Sequence, residues 1–142
     1  MNNQINLFLN IDENPKGTAQ MKGEMVRGGR IHHYEKANVA RQRAIYRREI
    51  LAELDAKDIE IPCYEGPVIL KVIFNYSIKD SKRWGHWKTS RPDLDNSVKL
   101  LQDVLTELGF FKDDSQIAKL VLEKRFSAHP LIEIEMGRLM DP

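Results

Sequence analysis

A chain of 142 residues, 42 % hydrophobic and 30 % charged, with a formal net charge of +1, has the size and composition of one globular domain spanning 1–142. Its overall charge advertises no polyanionic partner, so any basic surface must be local. One cysteine, Cys63, excludes an internal disulfide and a cysteine-based zinc site; it fits a reducing, cytoplasmic setting and is expected as a small apolar residue, and no apolar run approaches the roughly 18 residues of a membrane span.

In chain order, "QINLFLNI" (4–11) alternates Ile5, Leu7, Leu9 and Ile11, which predicts a strand. "DENPKGTAQMKGEMVRGGR" (12–30) holds glycines, a proline and no sustained period, and is expected as a long loop. From about Tyr34 to Ala56 the spacing of Val39, Tyr46, Ile50 and Leu54 predicts a helix. "PVILKVIFNYSI" (67–78) reads as a strand with Val68, Leu70, Val72 and Phe74 on one face, and 79–92 as a second long loop. Leu94, Val98, Leu101, Leu105 and Leu108 mark the clearest helix, ended by Gly109. "KDDSQ" is a turn, and "QIAKLVLEKRF" and "LIEIEM" are expected to pair as an antiparallel hairpin. The order predicts an α+β fold: a small mixed, largely antiparallel sheet packed with two main helices.

Two aspartates one residue apart, Asp93 and Asp95, open the leucine helix, and Lys99 follows one turn later. A structural explanation exists: Asp93 caps the helix, Asp95 sits at the positive end of its dipole, and Lys99 pairs with Asp95 at i, i+4. A second acidic pair, Asp113 and Asp114, exceeds what a turn needs, since one Asp suffices for an Asx contact. Hard cations such as Mg²⁺ take few protein carboxylates and leave positions for water and phosphate. Two acidic segments with a nearby lysine therefore form the minimum set for metal-assisted phosphodiester hydrolysis.

Basic segments supply the other half. Between Lys22 and Glu49 eight Lys and Arg, Arg27 and Arg30 among them, face three Glu. The 79–92 loop carries Lys82, Arg83, Lys88 and Arg91 with Trp84 and Trp87 interleaved. Cations mixed with aromatics suit a nucleic-acid backbone and unstacked bases.

"RPDLDNSVKLLQDVLTELGFFKDDSQI", about a fifth of the chain, resembles the signature block of the RusA family of Holliday-junction resolvases nearly end to end. Pro-Asp-x-Asp-Asn, the lysine four residues on, the amphipathic helix, the glycine and the Asp-Asp pair all stand at the family spacing. "GGRIHHYEK" is more loosely similar to the family's Gly-rich segment, and the usual proline-rich opening is reduced to Pro15. The resemblance implies a small mixed α/β homodimer that makes paired nicks in four-way DNA with Mg²⁺ (or Mn²⁺). It implies Asp93, Asp95 and Asp114 as essential metal-binding acids, Asp113 as support, and Lys99 at the scissile phosphate or the transition state. A two-fold dimer suits a junction with two equivalent strands to cut.

Two other functions fit parts of the pattern. A non-catalytic branched-DNA-binding module would use the acids only as caps, and a nucleotide-sugar transferase built on D-x-D would need a larger parallel-sheet domain. Geometry adds a constraint, because a helix from Asp95 to Leu108 spans about 20 Å and separates the two acidic pairs. Either the chain turns back along the helix, the helix starts after Leu94, or Asp114 completes a site with the partner's acids. Leu100, off the leucine seam, is the candidate interface contact.

Overall fold

Strand β4 (Val68–Ser77) is the central element of a computed structural model that describes residues 2–17, 22–27, 30–35 and 37–142. Its alternation buries Val68, Leu70, Val72 and Phe74 on one face, as a half-covered strand requires. β6 (Leu131–Arg138) flanks it antiparallel, and β1 (Asn2–Asn10) pairs antiparallel with β6. β5 (Ile117–Ser127) lies parallel on the other side of β4, giving the order β1-β6-β4-β5. A parallel pair needs a crossover, and α2 (Leu94–Leu108) supplies it between β4 and β5.

Both helices cover one face. α1 (Ala37–Ala56) packs against β1 and α2 and buries Val39, Tyr46, Ile50 and Leu54; α2 packs against β5 and buries Val98, Leu101, Val104 and Leu105. They close over Leu7, Leu9, Ile132, Ile134 and Met136 in one core. Gly109 ends α2 at φ 88°, and its N–H bonds back to Leu105 and Thr106. The expected α+β class, mixed sheet and two main helices are present.

Four expectations are corrected. β5 and β6 form no hairpin, because β4 lies between them. β6 buries three alternate residues and earns a central place, whereas β5 fully buries only Phe126 and takes the edge. Within the expected 12–30 loop, β2 (Lys22–Arg27) pairs with β3 (Arg30–Glu35) as a separate ribbon. A ribbon outside the main sheet need not bury one face, so it lacks the alternation that announces a strand. Leu100 is fully buried, because α2 is covered by α1 as well as by the sheet, and so it is no interface contact. Cys63 is exposed at φ 48° rather than packed as an apolar residue.

Candidate active site

Asp93 is the N-cap of α2 by position only; its side chain makes no capping hydrogen bond. The first turn is closed instead by the Asp93 carbonyl, which accepts from the Ser97 N–H (3.0 Å) and the Ser97 hydroxyl (2.9 Å). Asp95 is exposed in the same turn. Lys99 does not pair with it: the lysine Nζ lies 3.5 Å from the Asn96 Oδ1. Among the described residues, neither carboxylate has a hydrogen bond or an ion pair. Side-chain capping and pairing with Lys99 therefore account for neither acid, although the positive helix end favours both negative charges.

Arg43 of α1 holds Glu107 and, at 3.5 Å, Asp103, which defines the flank of α2 that faces α1. At about 100° per residue, Asp95, Lys99, Gln102 and Thr106 occupy the outward flank away from α1. α2 also packs against β5, the edge strand of the sheet.

Asp113 and Asp114 sit at the other end of α2. Asp113 accepts from the Ser115 N–H at 3.1 Å, and Gln116 accepts from the Lys112 N–H at 2.8 Å. Gln116 also donates to the Tyr64 and Gly66 carbonyls at 3.0 Å each, which ties the turn to the body. The Ser115 N–H draws Asp113 below the usual carboxylate range. Asp114 is raised, first by its hydrogen bond with Asp113, then by burial and by the charges of Asp113 and Asp103. One acid therefore builds the turn and the other is held at a cost in electrostatics. A cavity of about 690 Å³ opens beside them, lined in part by Cys63, Thr106, Gly109 and Lys112. It was not foreseen, because its walls come from three separate stretches of chain.

α2 lies between the two acidic pairs in the chain. α2 begins at Leu94, not later, and its 15 residues span about 20 Å along the axis. Among the described residues no three His, Cys, Asp or Glu side chains converge on a metal position. The start at Leu94 removes one of the three geometric alternatives, a helix that begins later.

The 79–92 loop is strapped to the end of β5. Gly85 N–H donates to the Phe126 carbonyl (2.8 Å), Phe126 N–H to His86 (3.0 Å) and Lys88 N–H to Lys124 (3.1 Å). Trp84 is anchored by its indole N–H on the Ile78 carbonyl at 2.8 Å, while Trp87 stays 62 % exposed over the Arg125 guanidinium. Arg83 lies over the Phe126 ring, Lys82 donates its N–H to Asp80, and Arg91 precedes the acids by two residues. Lys124 joins this group through bonds to the Ser90 and Pro92 carbonyls (2.7 and 2.9 Å); sequence reading missed it, since in isolation it is only a strand lysine. Arg27 and Arg30 stand opposite each other in the β2–β3 register, and their side chains lie outside the described part. No helix among the described residues is long and apolar enough to cross a membrane.

A family model for the endodeoxyribonuclease RusA matches residues 12–137. The chain is 40 % identical over 121 residues to the crossover junction endodeoxyribonuclease rusA of Lactococcus phage r1t, spanning 84 % of this chain and 87 % of that protein. It is also 44 % identical over 46 residues to the uncharacterized protein YqaN of Bacillus subtilis (strain 168), 32 % of each.

Proposed function

The chain belongs to the RusA endodeoxyribonuclease family, and we propose that it resolves Holliday junctions by paired, Mg²⁺-dependent nicking of four-way DNA. The observation that carries this reading is the pair of carboxylates, Asp93 and Asp95, unengaged among the described residues and one helical turn from Lys99. A chain that only bound DNA would gain nothing from two acids one residue apart placed where a phosphate backbone must approach. Their hard oxygens fit Mg²⁺, which takes one or two carboxylates and keeps positions for water and phosphate. Bound there, the ion would polarise the phosphoryl oxygen and acidify the attacking water. Lys99 meets the negative charge that grows on the phosphate. The 79–92 loop, through Lys82, Arg83, Lys88 and Arg91, holds the backbone, and Trp87 offers a face for an unstacked base. Trp84 keeps the loop in place.

Asp113 and Asp114 enter this reading through a second copy of the chain. β5 is an edge strand, and Leu120, in the middle of its outer stretch, is 43 % exposed. Such edges invite pairing. Antiparallel pairing of two β5 edges about a two-fold axis, over 117–122 and short of the stretch bonded to the 79–92 loop, continues the sheet at about 4.8 Å per strand. It also sets the two α2 helices antiparallel at about 10 Å, an ordinary packing distance. The start of each α2 then lies beside the end of the other, so Asp93 and Asp95 of one subunit face Asp114 of its partner. Each dimer has two such sites, one for each strand of a junction.

Binding and cutting should separate. In EDTA, electrophoretic retention of a four-way junction should exceed that of a linear duplex of the same sequence and weaken steeply with salt, because cationic contacts to phosphates release counterions. Equal retention of junction and duplex at every salt concentration would remove the structure selectivity from this reading.

A further inference from the structure

Beside the acids lies a cleft of about 330 Å³ between the 13–16 segment, the end of β4 and residues 88–92. Its apolar walls are Tyr76 and Phe126, and Lys88 rests over both rings, with its Nζ 5.1 and 5.6 Å from their centroids. Lys16 and Arg91 complete the cationic lining. The one acid at the rim, Glu13, is paired with Arg41 at 3.5 Å. Among the described residues, none of Lys16, Lys88 and Arg91 has a carboxylate partner. Burial first, then the charges of Lys124 and Arg83, hold the Lys88 ammonium below the usual lysine range. Those charges crowd together with no carboxylate partner among the described residues.

The segment carrying Lys16 is fixed in place. The Asn14 Oδ1 accepts from the Ser77 N–H (2.8 Å) and hydroxyl (3.1 Å), and a Cβ added at Gly17 would lie 2.9 Å from the Pro92 Cβ. Gly17 is therefore the residue that lets this segment close on the one preceding Asp93. Pro92 is a wall of the cleft and Asp93 follows it directly.

We propose that this cleft is an anion subsite that seats one backbone phosphodiester of the DNA strand, next to the phosphate presented to Asp93 and Asp95. It rests on the reading of the chain as a junction nuclease. A lysine braced on two aromatic rings has little freedom to lose on binding, which makes it a locator rather than a diffuse attractor. Seating one phosphate there would fix which neighbouring phosphate meets the acids. The subsite would thereby set the position of the cut relative to the branch point.

The test is a walk of single methylphosphonate linkages, each removing one phosphate charge, along the junction strand near the branch. Binding is read in EDTA with wild type, Lys88→Met (which keeps the stem over the rings) and Lys88→Arg. A charged hydrogen bond lost at one linkage should weaken wild-type binding about tenfold there and far less elsewhere. Lys88→Met should bind the unmodified junction about tenfold more weakly and lose nothing further at that linkage, whereas Lys88→Arg should restore the wild-type profile. A flat wild-type profile would overturn the subsite and leave a site for free nucleotide or phosphate as the alternative. Losses that multiply in Lys88→Met would place the sensitive phosphate elsewhere and overturn it too. Because no cutting is read, a chain that shows the profile and never cuts would remove the nuclease reading and leave the subsite standing.

Discussion

Mixing two inactive variants, Asp95→Asn and Asp114→Asn, should restore junction cleavage. If each site combines the α2 start of one subunit with the α2 end of its partner, a mixed dimer concentrates both substitutions in one site. Its other site is whole. Random exchange makes half the dimers mixed, so the mixture should recover about a quarter of the wild-type site activity, from parents each reduced by orders of magnitude. The products should be single nicks in place of paired ones, since each mixed dimer has one working site. Subunit exchange is verified by co-purification of differently tagged copies. Exchange without recovered cleavage would mean that the acids act within one chain, which a helix of 15 residues between them makes difficult to arrange.

Lys99→Ala should lower the cutting rate by about 10² to 10³ while leaving junction affinity in EDTA within a factor of about two. Lys99 is exposed and, among the described residues, hydrogen-bonds only to Asn96, at 3.5 Å, so its removal costs the fold little. Single-turnover rates and gel-shift affinities on the same preparation separate the two effects. A loss of binding equal to the loss of rate would make Lys99 a docking residue.

Much of this molecule is legible in the sequence where one element carries its own signal. The 4, 3, 4, 3 spacing of the α2 leucines and Gly109 locate that helix, because burial against a single sheet face imposes the helical period. β4 is as plain, since half-burial imposes a period of two. What stayed hidden depends on relations between elements. Leu100 looked available from α2 alone and is buried because α1 covers that flank. The acidic pairs were readable as residue types at a spacing, but which end of α2 each occupies relative to the sheet emerges only from the β4–α2–β5 crossover. The Lys16–Lys88 cleft is assembled around Tyr76 and Phe126 from four separate stretches of chain, and no local pattern announces it.

The most direct measurement is denaturing-gel analysis of an end-labelled four-way junction beside a linear duplex, each with Mg²⁺ and with EDTA, using wild type and Asp95→Asn. Symmetric paired nicks are expected in the junction alone, present with Mg²⁺, absent in EDTA and lost in Asp95→Asn. Undiminished cutting by Asp95→Asn would contradict the metal site at the start of α2, and a junction that wild type retains but never cuts would contradict the nuclease itself.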